Sequence, residues 1–133
     1  MEQDIRWKQR FQNFEKAFLR LEEAIRIVKG EPDNALLQAG LIQTYEFTFE
    51  LGWKTLKDFL EAEGFIVPSP KATLRQAYQS GYIKNGDRWL KALNDRNLTA
   101  HTYDDEIATE VIKDIQEKYF FLLKDLYVWL KTQ

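Results

Sequence analysis

Seven apolar residues near the start of the chain, Trp7, Phe11, Phe14, Phe18, Leu21, Ile25 and Val28, follow one another at alternating spacings of four and three. Those spacings straddle the about 3.6 residues of an α-helical turn, so all seven fall on one seam of a helix, whereas a strand would need a period of two. Gly30 and Pro32 end the segment, glycine as a cap and proline because it cannot continue a helix. A seam this long needs a partner, and the next segment provides one. Asp33 or Asn34 caps a second helix in which Leu37, Leu41, Thr48, Leu51, Thr55 and Phe59 form one stripe, widened by Tyr45, Phe49, Trp53, Leu56 and Leu60. The doubled stripe, with Tyr45, Phe49 and Trp53 on one flank, exceeds what one bundle core should absorb, which predicts a homodimer interface involving it.

The same signals continue downstream. Gly64 ends the second helix, Phe65-Ile66-Val67-Pro68 is a short extended connector, and Ser69-Pro70 is a cap followed by proline at the first helical position. That third, short helix runs to about Ser80. Gly81 and Asn85-Gly86 mark loops, after which Trp89, Leu90, Leu93 and Leu98 line a fourth helix carrying Arg96 near its end. Asp104 caps a final helix whose stripe is Ile107, Val111, Ile115, Tyr119, Leu122, Leu126 and Trp129, with Asp105 and Glu106 at the positive end of its dipole. There is no internal repeat and no strand pair. The expected fold is an all-α up-and-down helical bundle of three long helices and two short ones, a single domain over residues 1–133.

Composition narrows the chemistry. The chain has no cysteine, which excludes disulfides, thiolate catalysis and cysteine-ligated zinc, and its one histidine excludes a histidine-rich metal site within one subunit. A metal would have to sit on carboxylates, and the chain has no glycine-rich phosphate loop from which a bound nucleotide could be derived; no metal site and no cofactor is expected of the chain itself. The charged N-terminus and the lack of a long apolar run predict a soluble, cytoplasmic protein without a membrane segment. The net charge of -2 argues against general affinity for polyanions, yet the charges are uneven. Lys71, Arg75, Lys84, Arg88, Lys91 and Arg96 outnumber Asp87 and Asp95, while acidic residues predominate from Asp104 to Glu117. A plain solvated face is the default reading of such a cluster, and a basic local surface is the alternative.

The only histidine, His101, lies between Arg96 and Tyr103 in Arg96-Asn97-Leu98-Thr99-Ala100-His101-Thr102-Tyr103. Imidazole is the one side chain that titrates near neutral pH unperturbed, so acid/base catalysis in this chain centres on His101. Asn97, four residues before it on a helix, shares its face and could orient the ring, and Arg96 offers a permanent forked cation suited to phosphate. Imidazole plus guanidinium fits cleavage of RNA, whose 2′-hydroxyl is an internal nucleophile. One histidine does not easily serve as both base and acid; a twofold dimer with two facing motifs would supply the second. On the residues alone a structural role is the default reading, histidine at a helix C-terminus and arginine in a surface ion pair.

The pattern Arg96-Asn97-x-x-x-His101-x-Tyr103 resembles the signature of HEPN domains, and in particular the HEPN toxins encoded beside a minimal nucleotidyltransferase of the MNT type, known in older naming as nucleotidyltransferase substrate-binding proteins. Trp7-x-x-Arg10-Phe11-x-Asn13-Phe14, the block from Gln43 to Lys54, and Asp95 to Tyr103 all carry the likeness, which spans nearly the whole chain with minor substitutions only at the block edges. The resemblance implies a homodimeric helical bundle and a metal-independent endoribonuclease with Arg96 and His101 as catalytic pair and Asn97 beside them. It also implies an MNT-type nucleotidyltransferase antitoxin as partner, using ATP and magnesium to place adenylate on Tyr103. Bulky anionic phosphate there would block the cleft and occupy the arginine meant for substrate. The alternative is a binding subunit without chemistry of its own, which presents a substrate to the nucleotidyltransferase.

Overall fold

The computed structural model describes residues 2–96 and 104–133, all helices and connections without a strand among them. Helix α1 covers Glu2–Gly30 and α2 covers Ala35–Ala62. They form the long antiparallel pair that the first seam requires: Trp7, Phe14, Phe18, Leu21, Ile25 and Val28 are all buried. Asn34 is the cap of α2, its Oδ1 accepting the Leu37 N–H at 3.1 Å. The helices approach closely at Gly52, where a β-carbon would stand 3.1 Å from Phe14 Cε1 and 3.3 Å from Leu123 Cδ2. Two further ties cross the pair. The buried Thr48 hydroxyl donates to Ala17 O at 3.1 Å, and Arg10 Nε lies 2.7 Å from Asp58 Oδ2, a contact that matches the charges without an aligned hydrogen bond.

Helix α3, Pro70–Gln79, starts at Ser69, whose Oγ accepts the Ala72 N–H, and helix α4 covers Gly86–Asp95. The ends of α2 and α3 use the same device. Gly64 (φ 97°) and Gly81 (φ 78°) turn left-handed, and the next N–H folds back, Phe65 N to Leu60 O at 3.0 Å and Tyr82 N to Ala77 O at 2.9 Å. Both glycines are therefore stop signals with a backbone reason.

The C-terminal run departs from the expected continuous helix. Helix α5, Asp105–Asp114, is capped by Asp104 as expected, passes into a five-residue π-helical turn at Ile115–Tyr119, and continues as α6, Phe120–Lys131. The cause is visible in the stripe: Ile107, Val111, Ile115 and Tyr119 are spaced by four throughout, and an ideal α-helix would rotate each step about 40° off the seam. The wider π-turn takes up that drift and leaves Ile115 and Tyr119 both buried.

One apolar cluster joins these helices, and α2 lies at its centre, packed against α1, α3, α5 and α6. This corrects the premise that one bundle core cannot absorb the doubled stripe. Tyr45 and Phe49 are 1% exposed and Trp53 8%, so the second stripe is absorbed within the protomer, because α2 has neighbours on several sides instead of one. The exposed large apolar residues of α2 are Leu36 and Phe47.

Candidate functional site

Arg96 stands directly after the last residue of α4, with helical φ and ψ, its N–H bonded back to Ala92 O. Its guanidinium Nη1 donates to Glu50 Oε1 of α2 in a short charge-assisted contact. The other oxygen of Glu50 is also engaged, since Trp53 Nε1 donates to Oε2 at 2.9 Å from the next turn of α2. Glu50 thus links a packed indole to the arginine through its two carboxylate oxygens. Glu46, Phe47, Glu50 and Arg96 line a shallow cleft of about 350 Å³, with Phe47 61% exposed at its edge.

The residue before Arg96 is anchored independently. The Tyr119 hydroxyl donates to Asp95 Oδ2, and the Tyr119 ring stacks on Tyr45 with centroids 5.8 Å apart. The π-turn therefore presents Tyr119 to the end of α4. Lys91 Nζ lies 3.4 Å from Asp114 Oδ2 and 3.9 Å from Asp95 Oδ2, and Lys118 Nζ lies 3.6 Å from Asp114 Oδ1. Of these, the Lys91–Asp114 pair joins α4 to the C-terminal run, and exposed pairs of this kind contribute little individually. Together, an acid on α2 and a tyrosine on the π-turn fix the point where the motif segment begins.

Burial pushes the Tyr119 phenol far above the ordinary tyrosine range, with the hydrogen bond to Asp95 as the second cause. Tyr45 is raised as well, first by burial and then by the neighbouring Tyr119. The sign follows: a folded-state pKa above the unfolded value gives stability fully present below about pH 10, and lost as pH rises further because only the unfolded chain ionises readily. Urea midpoints should hold steady from neutral pH to about pH 9 and fall above it, with less phenolate absorbance in the native protein than in the denatured one. Tyr45→Phe, which removes a buried hydroxyl without a hydrogen-bond partner, should make that decline shallower.

Of the expected site residues, Arg96 is placed, at the end of α4. Asn97, His101 and Tyr103 lie outside the described residues, as does Leu98. Among the described residues no three His, Cys, Asp or Glu side chains converge as a metal site requires. No helix among them is long and apolar enough to cross a membrane. The sequence pattern assigned Glu50 and Asp95 no part in the site and Tyr119 only a place in the buried stripe of the last helix. The Glu50–Trp53 bond has a local signal, three residues on one helix face, but the partnership with Arg96, 46 positions away, has none.

The helical bundle has known relatives. Residues 9–132 match the family model described as nucleotidyltransferase substrate binding protein like, and the chain belongs to that family. It is 36% identical over 98 residues, covering 68% of this chain and 67% of the relative, to a Haemophilus influenzae protein named "Probable ribonuclease HepT". A crystal structure of a Thermus thermophilus protein matches with TM-score 0.79 and 30% identity, over 89% of this chain and 98% of that one. A second structure, from Haemophilus influenzae and described as revealing the fold of a substrate binding domain of a nucleotidyltransferase, matches with TM-score 0.80 and 27% identity over 91% and 98%.

Proposed function

We propose that the protein is a HEPN-type toxin, a metal-independent endoribonuclease that works as a homodimer through Arg96, His101 and Asn97 and is silenced when an MNT-type nucleotidyltransferase adenylylates Tyr103. The observation that carries this reading is the double anchoring of the Asp95–Arg96 corner, which holds a forked cation at a cleft at the start of the segment containing the only histidine. The similarity to a relative named as a ribonuclease supports the same chemistry. In the proposed reaction His101 takes the proton of an RNA 2′-hydroxyl, and the oxygen attacks the adjacent phosphorus while Arg96 holds a phosphoryl oxygen. The bond to the 5′-oxygen breaks, His101 of the second copy protonates that oxygen, and the products are a 2′,3′-cyclic phosphate and a free 5′-hydroxyl.

A second reading, a non-catalytic subunit presenting substrate to a nucleotidyltransferase, is favoured by the family description and by the description of the Haemophilus structure. One assay separates the two. The purified protein is incubated with RNA in EDTA, alongside His101→Ala and alongside protein pretreated with the neighbouring nucleotidyltransferase, ATP and magnesium, with mass spectrometry of the Tyr103 peptide. Cyclic-phosphate ends that form in chelator, vanish with His101→Ala and fall as Tyr103 gains adenylate are the expected result. Uncut RNA with an unmodified Tyr103 and a stable complex between the two proteins gives the second reading instead.

A further inference from the structure

Helices α3 and α4 meet at a cleft of about 600 Å³ that is separate from the Arg96 cleft and rich in chemistry the reaction does not use. Its walls carry Arg75 on α3 and Arg88 on α4, both exposed, and its floor is Leu74 and Leu90. Among the described residues neither arginine has an ion-pair partner, in contrast to Arg10 with Asp58 and Arg96 with Glu50. Tyr78, 56% exposed, lines the same cleft. Its ring is seated on Gly86, where a β-carbon would come within 3.1 Å of Cδ2, so glycine there lets the ring lie against the backbone and holds it in place. Asp87, the acidic residue lining the cleft, is in the first turn of α4, where the helix dipole accommodates it.

We infer that this cleft is a binding site for single-stranded RNA outside the cleavage centre, with Arg75 and Arg88 on successive phosphates and Tyr78 as the platform for one base. Unpaired arginines beside an exposed, rigidly seated aromatic are what a strand of stacked bases and phosphates is recognised by. The charge is local: of the six basic residues from Lys71 to Arg96, Lys91 and Arg96 are paired with acids elsewhere, and Arg75 and Arg88 are the two that line this cleft, against Asp87 alone. The cleft has the dimensions of a small-molecule pocket and suits an unpaired nucleotide, not a duplex. Arg88 and Arg96 are eight residues apart at opposite ends of α4, about 12 Å along the axis, so one strand held in this cleft is delivered to the cleavage centre. The inference rests on the nuclease reading for its purpose, and on the cleft alone for the binding.

Binding is measured by fluorescence anisotropy of a labelled single-stranded RNA, across a salt series, with the His101→Ala protein so that the probe stays intact. Arg75→Ala/Arg88→Ala should weaken Kd about tenfold or more at moderate salt and lower the slope of log K against log salt by about 1.4, close to 0.7 per phosphate contact. Tyr78→Ala should weaken binding about five- to a hundredfold, while Tyr78→Phe, which keeps the ring, should bind as the parent does. With His101 restored, the arginine pair variant should raise KM for long RNA and cut the shortest cleavable oligonucleotide at the parental rate. Unchanged affinity and salt slope in the arginine variant, or no RNA binding by the parent, overturns the cleft. Binding that depends on the cleft in a protein whose His101-containing form leaves RNA uncut keeps the cleft and overturns the nuclease reading instead.

Discussion

Arg96→Ala is expected to slow RNA cleavage by about 10²–10³-fold, the usual consequence of removing one preorganised donor from a developing anionic centre. The same substitution should leave the fold intact. The Arg96 and Glu50 side chains are 26% and 38% exposed, so after solvent screening their ion pair contributes at most about 1 kcal/mol to stability. Glu50 keeps its bond from Trp53 and does not become a buried, unpaired charge when the arginine is removed. Arg96→Lys should recover only part of the rate, because an ammonium is a point charge without the planar fork that a guanidinium offers a phosphate. Single-turnover rates on one RNA, with thermal midpoints for the same proteins, test this directly. A variant with wild-type rate places the phosphate elsewhere, and a variant that melts far below the parent makes Arg96 a structural residue.

Phe14→Ala should be the most damaging single truncation in the helical pair, costing about 3–5 kcal/mol. The ring is fully buried and meets Phe11, Phe18 and Tyr127 at centroid distances of 6.3–6.4 Å, with Gly52 of α2 against its edge. That close approach is what a cavity at this position cannot recover. Gly52 has no side chain to lean into the space, and the backbone of α2 already lies against the ring. Against the about 5–15 kcal/mol that separates folded from unfolded for ordinary domains, the loss should move the urea midpoint by a large fraction of its value with an unchanged slope. A shift corresponding to less than about 1 kcal/mol would mean that α1 and α2 can close over the gap.

The helix boundaries were legible because their causes are local. Asn34, Ser69 and Asp104 cap the helices they precede, and Gly64 and Gly81 stop the ones before them, each through bonds spanning six residues or fewer. The candidate site was legible as composition: one histidine with an arginine and a tyrosine nearby, in a chain without cysteine. The environment of Arg96 was not. Glu50 and Tyr119 reach the Asp95–Arg96 corner from 46 and 24 positions away, and no short-range pattern encodes which exposed acid meets which arginine.

The widened stripe of α2 shows the division most clearly. Its apolar residues by themselves dictated a helix with two faces to cover, and periodicity went no further than that. Whether Tyr45, Phe49 and Trp53 would face a second copy or the chain's own later helices depended on where α5 and α6 return, and the fold places them over α2. The π-turn was decided in the same way. Spacings of four are compatible with a drifting α-helix or with one underwound turn, and the burial of Ile115 and Tyr119 against a core already formed by α2 selects the second. Sequence acts through contacts a few residues apart and so determined the helices and the residues available for chemistry; tertiary packing alone joins residues distant in the chain, and it decided which faces are buried and what holds Arg96.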